Sequence, residues 1–263
     1  MSYQGPKLDD QVFRSQWLVA MDRDGTIVPY AERPEEATVE PALLKLINDM
    51  AAQPGVHVAV VSARSVAQLR GDFGDSKVIL AGNYGMEIRF PDGTDIIQKR
   101  ATAAVPALKQ VRDELAAIIE HGAILEDHGY TLCLHWHMVH ADQLDVVHDA
   151  VAAAAARHGS LEFTRLPTSY EVAPTFAWNK GDAIGSIDEI LPMSSGKRFH
   201  LFAGDSAADE PGFRWVNEHG GLSIKIGVTS DSEAQFQMQS PSDLHGYLRK
   251  LFATRASLLA LHK

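Results

Sequence analysis

A short apolar run that ends in two carboxylates is the feature that most constrains this chain. Trp17 to Met21 is apolar throughout, and Asp22, an arginine, Asp24 and a Gly-Thr turn follow it. An apolar run of this length before a glycine turn is typical of a strand that is buried on both faces, as in a parallel sheet. Because functional groups in open α/β sheets gather at the carboxyl ends of such strands, the sequence predicts an α/β fold with a site at Asp22 and Asp24.

Two kinds of chemistry fit a pair of acids at this position. Side chains alternate along a strand, so Asp22 and Asp24 can point in the same direction. Two like charges held close together are unfavourable unless a cation or a shared proton relieves them. A divalent metal ion could bind both acids, or one acid could be a nucleophile while the other is a general acid with a raised pKa. A purely structural alternative is that Asp-Gly-Thr forms an Asx turn or a helix cap.

Composition and charge limit the classes of function. The chain has 263 residues, of which 45% are hydrophobic and 22% charged, as in an ordinary globular protein. It contains no run of about 18 apolar residues and no basic start that leads into an apolar stretch, so we expect no membrane association and no secretion. The single cysteine, Cys133, fits a reducing cytoplasm. The net charge of −10 argues against a nucleic-acid partner, which requires a basic surface.

Short apolar runs and amphipathic segments alternate through most of the chain. Residues 1–14 have no periodic pattern and are predicted to form a loose arm. The predicted strands cover residues 17–21, 56–61, 78–82, 198–203 and 222–227. The predicted helices begin at Pro41 and Lys180, and a closing helix is capped by Ser242 or Asp243.

The order of elements changes in one internal segment. Two groups, each a helix followed by two strands, are predicted there at 106–121, 123–126, 130–138, 141–157, 161–165 and 169–173. This αββαββ order indicates an inserted domain. We therefore predict a core of residues 1–102 and 174–263 and an inserted cap domain of residues 103–173.

Four polar groups lie at the predicted strand ends or helix starts. They are the pair Asp22 and Asp24, the serine of Ser62-Ala63-Arg64, Lys180, and the pair Asp205 and Asp209. A hydroxyl and a guanidinium just past a strand end, followed by a helix start, can bind phosphate. Each group alone is weak evidence for a functional site, but the four together predict one joint site.

The order of these groups resembles the four motifs of the haloacid-dehalogenase-like (HAD) phosphatases, and more closely the trehalose-6-phosphate phosphatase family. The stretches that carry the resemblance are 24–27, 32–37, 61–64, 81–87, 125–129, 171–174, 180–181 and 204–210. The resemblance implies a Rossmann-like HAD core with a central parallel sheet and an inserted αββαββ cap of the C2 type.

The resemblance also implies roles for the acids and for the metal. Asp22 would attack phosphorus to form an aspartyl-phosphate, and Asp24 would protonate the leaving sugar oxygen and then activate water. Mg²⁺ would be bound by Asp22, the backbone carbonyl of Asp24 and Asp205, with Asp209 in support.

Phosphate and sugar contacts follow from the same resemblance. Lys180, a catalytic residue, would hold the phosphoryl group together with Ser62, Ala63 and Arg64. The sugar would be contacted from the loop after the third strand and from the cap, by Asn83, Tyr84, Glu87, Glu126, His128, His135, His137 and Glu171.

The cap sequence departs from the family pattern, which carries Lys, Arg and Arg where this chain has His128, His137 and Ala173. Such a site would be less cationic, with its acids freed from neighbouring cations, and could prefer an amine-bearing analogue. Alternatively, the two histidines donate the same hydrogen bonds while neutral, and the specificity is unchanged.

Cys133, His135 and His137 alternate with apolar residues in the predicted strand 130–138. Cysteine and histidine can bind zinc, but the sequence has no second pair at ligand spacing. We therefore expect the apolar face of this strand to pack on the cap helices and its polar face to look onto the active site.

Three functions follow from this interpretation. The first is an Mg²⁺-dependent phosphatase that acts on the small-molecule sugar phosphate trehalose 6-phosphate, with a sugar-phosphate synthase as a pathway partner. The second is the same chemistry on an analogue such as validoxylamine A 7'-phosphate or glucosylglycerol phosphate. The third is a non-catalytic domain that binds sugar phosphate, which the intact set of catalytic residues argues against.

Overall fold

The computed structural model describes residues 6–74, 76–193 and 196–261. These residues form both α-helices and β-strands. In chain order, the strands are β1 Gln16–Met21, β2 Val56–Val61, β3 Val78–Gly82, β4 Glu87–Arg89, β5 Asp95–Ile97, β6 Ile124–Asp127, β7 Leu132–His135, β8 Leu161–Arg165, β9 Ser169–Pro174, β10 Arg198–Gly204, β11 Leu222–Ile226 and β12 Phe236–Met238. The α-helices are α1 Asp10–Arg14, α2 Pro41–Ala51, α3 Val66–Phe73, α4 Lys99–Leu115, α5 Leu144–Arg157, α6 Lys180–Ile190, α7 Glu210–Glu218 and α8 Pro241–Ala260. None of these helices is both long and apolar enough to cross a bilayer.

The chain forms two compact units. The core unit contains the described residues of Met1–Ser62, Val66–Asp95 and Trp178–Lys263, and the insert unit contains Ala63–Ser65 and Ile96–Ala177. The predicted boundaries of the inserted domain were 103 and 173, whereas the units divide near residues 96 and 177.

The core unit is built on an eight-stranded sheet with β1 near its centre. The strand order is β12-β11-β10-β1-β2-β3-β4-β5. The pairs from β12 to β3 are parallel, and β4 is antiparallel to β3. Every residue from Trp17 to Met21 is fully buried, which confirms the predicted strand that is covered on both faces.

Residues 10–14 form a helix within the segment that was predicted to be a loose arm, of which residues 1–5 lie outside the described part of the chain. The side chain of Asp9 caps α1 by accepting a hydrogen bond from the Val12 amide at 3.0 Å. Phe13 is buried and stacks on Trp17 with ring centroids 5.8 Å apart. The Trp17 Nε1–H donates to the Val12 carbonyl at 2.8 Å. For residues 10–14 the prediction was wrong, because a helix of five residues is too short to show an apolar period in sequence.

Two further differences concern the C-terminal part of the core unit. Helix α8 is capped by Ser240, whose side chain accepts from the Asp243 amide, with Pro241 at the first helical position. The predicted caps, Ser242 and Asp243, lie inside the helix. Strand β12 was not predicted, because three residues at a sheet edge carry little pattern.

The insert unit has the predicted αββαββ order. Its four strands form an antiparallel sheet in the order β6-β7-β9-β8. Leu132, Leu134 and Val172 project from this sheet into an apolar core shared with α4 and α5. Strand β7 is shorter than predicted and ends at His135, so His137 lies beyond the strand.

Three histidines of the core unit give a testable pH dependence. Burial lowers the pKa of His57, His200 and His245 below the usual 6.5, and the positive charge of Arg198 adds to this effect at His57. The unfolded chain then binds protons at a higher pH than the folded chain, so stability falls as the pH drops below about 6.5. We expect the loss in free energy of unfolding between about pH 7.5 and pH 5.5 to be smaller in His57→Gln than in the wild type.

Urea denaturation followed by circular dichroism measures this difference. His140→Gln is the matched control, because the side chain of His140 is 82% exposed. A pH dependence in His57→Gln that equals that of the wild type would contradict the assignment.

Candidate active site

Three neighbouring strands of the core sheet end at the same level and bring the predicted site residues together. Met21 is in register with Ala203 on one side and with Val60 on the other. The Asp22 amide donates to the Ala203 carbonyl at 2.9 Å, which continues the pairing by one residue. Asp22 therefore leaves the sheet between the ends of β10 and β2, where the motifs of Asp205 and Ser62 begin.

Lys180 links two of the predicted acids. Its Nζ donates to Asp22 Oδ1 and to Asp209 Oδ1, both at 2.6 Å, and the residue is 2% exposed. Lys180 is the first residue of α6, which is held by a capping box between Asn179 and Asp182. The start of the helix thus fixes the ammonium group between the acids.

The charged groups of this cluster shift one another's pKa values. Burial raises the pKa of Asp22 well above its usual range, and the charges of Asp209 and Asp205 add to this while Lys180 opposes it. Burial disfavours the charged form of Lys180, but Asp209 and Asp22 outweigh burial and raise its pKa. Burial likewise raises the pKa of Asp205. Three acids that share one cation create a strong demand for a further positive charge.

Asp209 is engaged by protein donors on both oxygens. Its Oδ1 accepts from Lys180, and its Oδ2 accepts from the amides of Asp205 and Ser206 at 3.0 and 2.9 Å and from the Ser206 hydroxyl at 2.8 Å. The residue is completely buried. Asp209 therefore orients the loop that carries Asp205, which agrees with the supporting role that the resemblance implies.

The acids fit a divalent cation that prefers oxygen ligands. Carboxylate oxygens of Asp22, Asp205 and Asp209 all lie within 4.8 Å of one another. Mg²⁺ takes few protein carboxylates and retains water, so this small, hard donor set suits it.

Thr26 and Tyr30, which were not predicted as site residues, contact the acids. The Thr26 hydroxyl lies 3.1 Å from both Asp22 Oδ2 and Asp205 Oδ1, and can donate its hydrogen to one of them at a time. The Tyr30 hydroxyl donates to Asp205 Oδ2 at 2.8 Å. Thr26 belongs to the motif, but Tyr30 lies in a polar loop whose sequence gives no signal.

The turn between Asp24 and Thr26 requires glycine. Gly25 has a φ of +83°, and a Cβ at this position would lie 2.3 Å from Asp205 Oδ2 and 2.5 Å from the Tyr30 ring. Any side chain would strain the backbone and push Asp205 away from the site.

The buried side chain of Arg23 forms a hydrogen bond with Asp24. The Arg23 side chain is 1% exposed, and its Nη1 donates to Asp24 Oδ1. Its Nε donates to Asp72 Oδ2 at 2.8 Å and its Nη2 to the Ala37 carbonyl. Because the guanidinium is fixed by three partners, it restricts the orientation of the Asp24 carboxylate, whose side chain is 27% exposed.

The predicted phosphate residues follow β2. Ser62 is buried, and its carbonyl accepts from the Tyr84 amide at 2.8 Å. The Tyr84 ring centroid lies 5.9 Å from Lys180 Nζ. These contacts place Ser62, Tyr84 and Lys180 in one neighbourhood of the core unit. Ala63 and Arg64 continue the chain after Ser62, and their phosphate contacts stay a prediction.

The other two loop residues have internal partners. Asn83 is fully buried, and its Nδ2 donates to Glu87 Oε1 at 2.8 Å. The same oxygen accepts from the Val66 amide at 2.7 Å, at the start of α3. Asn83 and Tyr84 both have positive φ, 49° and 58°, so this loop is held in an uncommon backbone conformation. Their predicted contact with sugar stays a prediction.

The predicted cap residues lie in the insert unit. Glu126 Oε2 is 2.7 Å from His135 Nε2, and its Oε1 is 3.7 Å from Nε2 of the buried His128. Burial alone would lower the pKa of His135, but interactions with Cys133 and Glu126 raise it to about 10. The departure of the cap sequence from the family pattern suggested that the Glu126 carboxylate is freed from cationic neighbours. The contact with His135 shows that it is not. Glu171 faces Cys133 across the β7–β9 pair.

Comparison with known proteins shows the family of the chain. The sequence model of a family described as trehalose-phosphatase matches residues 20–244. The trehalose-phosphate phosphatase of Mycobacterium bovis is 30% identical over 251 residues, which cover 93% of this chain and 63% of that protein. The chain therefore spans somewhat less than two thirds of the length of this relative.

Solved structures share the fold. A trehalose-6-phosphate phosphatase related protein superimposes with a TM-score of 0.79 at 21% identity, over 91% of this chain and 99% of that one. A haloacid dehalogenase-like hydrolase from Bacteroides thetaiotaomicron superimposes with a TM-score of 0.62 at 13% identity, over 90% of this chain and all of that one (100%). The predicted HAD-like fold is confirmed.

Proposed function

Since the chain belongs to the trehalose-phosphatase family, we propose that it is an Mg²⁺-dependent phosphatase that hydrolyses trehalose 6-phosphate or a closely related disaccharide phosphate. The observation that carries this proposal is the position of Lys180, buried between Asp22 and Asp209 with 2.6 Å to each. One oxygen of Asp22 is thereby engaged, and its other oxygen, Oδ2, points to the side shared with Thr26 and Asp205.

The reaction would begin with attack of Asp22 Oδ2 on phosphorus. The bond between phosphorus and the sugar oxygen breaks, and an aspartyl-phosphate forms on Asp22. Lys180, together with Ser62, would offset the charge of the phosphoryl oxygens.

Asp24 would act in both halves of the reaction. It would give a proton to the departing sugar oxygen and then take a proton from the water that hydrolyses the aspartyl-phosphate. The buried guanidinium of Arg23 holds one carboxylate oxygen of Asp24 and thereby fixes the orientation of the group.

A magnesium ion would be held by Asp22, Asp205 and the backbone carbonyl of Asp24, with Asp209 orienting Asp205. When bound, such an ion supplies positive charge to the phosphoryl group and relieves the repulsion among the acids.

The insert unit bears on the choice of substrate. An amine-bearing analogue, such as validoxylamine A 7'-phosphate, would need an exposed and unengaged acid. Glu126 accepts from His135 at 2.7 Å, which favours the phosphate of an uncharged sugar, such as trehalose 6-phosphate or glucosylglycerol phosphate, instead. We further propose a cytoplasmic location, supported by the single cysteine, and a sugar-phosphate synthase as the pathway partner.

Phosphate release from a panel of sugar phosphates tests the proposal. We expect Mg²⁺-dependent release from trehalose 6-phosphate that chelation abolishes, with glucose 6-phosphate turned over at least tenfold more slowly because it lacks the second sugar (about 1.4 kcal/mol). Folded protein that releases no phosphate from any member of the panel would favour the non-catalytic alternative.

Gly25→Ala should disable the site without unfolding the protein. Alanine at a φ of +83° costs about 1–2 kcal/mol, and its Cβ would displace Asp205. A displacement near 1 Å in a catalytic group can cost about 10²-fold in rate, so we expect a loss of this size in kcat/KM.

Gly74→Ala is the control for this variant. Gly74 also has a positive φ, +56°, but a Cβ there would meet nothing within 4 Å. We expect a similar backbone cost in thermal unfolding and unchanged phosphate release. An equal loss of activity in both variants would show that the effect at Gly25 is backbone strain alone.

A further inference from the structure

The sheet of the insert unit carries a second group of metal-ligating side chains. Glu126 on β6 and Cys133 and His135 on β7 each offer one ligand atom, and these atoms all lie within 4.8 Å of one another. The group contains a carboxylate, a thiol and an imidazole. It is therefore chemically unlike the all-carboxylate group at Asp22.

The strand register explains why the three side chains meet. Cys133 and His135 are two residues apart on β7, so their side chains project from the same face. Glu126 is the cross-strand partner of Cys133 in the antiparallel β6–β7 pair. Two positions on one strand and one on its neighbour form a triangle on the sheet face, which paired backbones hold rigid.

Apolar side chains on the opposite face of β7 fix the orientation of this strand. Leu132 and Leu134 are buried in the apolar core of the insert unit. Cys133 and His135 cannot rotate to the other face without a shift in register that would expose both leucines. Glu126, Cys133 and His135 themselves are only partly buried, so an ion can enter from solvent.

Hydrogen bonding around Glu126 orients the group. Its Oε2 lies 2.7 Å from His135 Nε2. Its Oε1 lies 3.7 Å from Nε2 of His128, which is 6% exposed and whose Nδ1 is 3.5 Å from the Thr131 hydroxyl. The distance of 3.7 Å between His128 and Glu126 is longer than a hydrogen bond, so the hydrogen bond with His135 is the contact that orients the carboxylate.

The donor set selects the class of ion. Thiolate and imidazole are ligands of zinc and related first-row transition metals, whereas Mg²⁺ prefers oxygen. Three protein ligands leave a fourth position of a tetrahedral ion for water or an exogenous ligand.

We propose that Glu126, Cys133 and His135 form a binding site for a zinc-class divalent ion in the insert unit. Binding forms bonds from the Glu126 carboxylate, the Cys133 sulfur and an imidazole nitrogen of His135 to the ion. The thiol proton, and any second imidazole proton, leave to solvent. This site goes beyond the proposed phosphatase function, in which Glu126 and His135 contact the sugar and no residue of the group binds a metal ion.

Cobalt(II) titration of the full chain tests the site without using activity. The protein is first stripped with a chelator, and the Asp22→Asn variant is used in parallel to weaken the carboxylate site of the core unit. A thiolate bound to cobalt gives a charge-transfer band in the near ultraviolet. We expect this band to saturate at about one equivalent in both proteins, and Zn²⁺ to displace it.

Three variants assign the band to its ligands. Cys133→Ser removes the sulfur with little change in size and should abolish the band, while Glu126→Gln should weaken Co²⁺ at least tenfold (about 1.4 kcal/mol). His140→Gln, which changes an exposed histidine outside the group, should bind as the wild type does. Circular dichroism verifies that each variant is folded.

A saturating titration with no charge-transfer band in the wild type would overturn the proposal. So would a band that survives in Cys133→Ser. Because the readout is metal binding, a failure here leaves the proposed phosphatase function untouched, and inactivity towards sugar phosphates would leave the metal site untouched.

Discussion

Asp22→Asn is expected to lower kcat/KM for phosphate release by more than about 10⁴-fold, beyond the usual range for loss of general acid–base assistance. Asparagine keeps the shape of the side chain but cannot form the aspartyl-phosphate, so the reaction loses its nucleophile. The amide also removes one of the carboxylates that would bind the metal ion. Steady-state assays over a range of Mg²⁺ concentrations separate the two effects, because excess metal can restore only the second.

Asp49→Asn is the matched control for this variant. Asp49 lies on α2, its side chain is 62% exposed, and it pairs only with the exposed Lys45 among the contacts described. We expect its phosphate release to equal that of the wild type within experimental error. If Asp22→Asn retained a tenth of the wild-type activity at high Mg²⁺, covalent catalysis by Asp22 would be ruled out.

Lys180→Met should lose both stability and activity. The substitution removes a buried cation that donates to Asp22 and to Asp209, and leaves two buried acids without their partner. Breaking a buried ion pair in this way costs about 3–5 kcal/mol. We expect a loss of this size in the free energy of unfolding by urea, and turnover that falls at least as far as in Gly25→Ala, about 10²-fold.

The pH dependence of this variant identifies the cause. Burial already raises the pKa of Asp22, and removal of Lys180 would raise it further. An acid with a raised pKa in the folded state destabilises the fold where both states are ionised, and this cost is relieved as the pH falls through the raised pKa towards the ordinary value of 3.8, so part of the loss should be recovered at lower pH. Lys45→Met, at a side chain that is 76% exposed, is the control. A deficit that stays constant with pH would show that lost packing, and not charge, is responsible.

The core fold was predictable because its signals are local. The strands β2 and β3 were predicted with the bounds that the structure has, since buried parallel strands are uninterrupted apolar runs that end in turns. The polar residues after β1, β2 and β10 were predicted to lie close together because parallel strands end at one edge of the sheet. Sequence order and strand type together determined the site.

The features that were missed depend on tertiary contacts. Tyr30 reaches Asp205 across 175 residues of sequence, and no local pattern marks either partner for the other. The arm at residues 10–14 folds because Phe13 stacks on Trp17. Arg23 lies between the two acids in sequence, and no sequence pattern showed that its side chain would be buried and would donate to the Asp24 carboxylate.

The insert unit illustrates the limit most clearly. Cys133 and His135 were visible as an alternating pair, and a zinc site was set aside because no second pair followed in sequence. The additional ligand, Glu126, comes from the neighbouring strand through the β6–β7 register. Register between two short antiparallel strands depends on packing of the whole sheet, so this ligand could not be assigned from spacing.

Trapping of the phosphoryl group on the Asp24→Asn variant tests whether Asp22 is the nucleophile. With p-nitrophenyl phosphate the leaving group needs little protonation, so Asp22 should still be phosphorylated, while the water that hydrolyses the aspartyl-phosphate is no longer activated. Mass spectrometry after an acid quench should find one phosphoryl group per chain, on the peptide that contains Asp22. The double variant Asp22→Asn/Asp24→Asn should carry none. A variant that releases p-nitrophenol in a burst but carries no phosphoryl group, or carries it on another residue, would show that Asp22 is not the nucleophile.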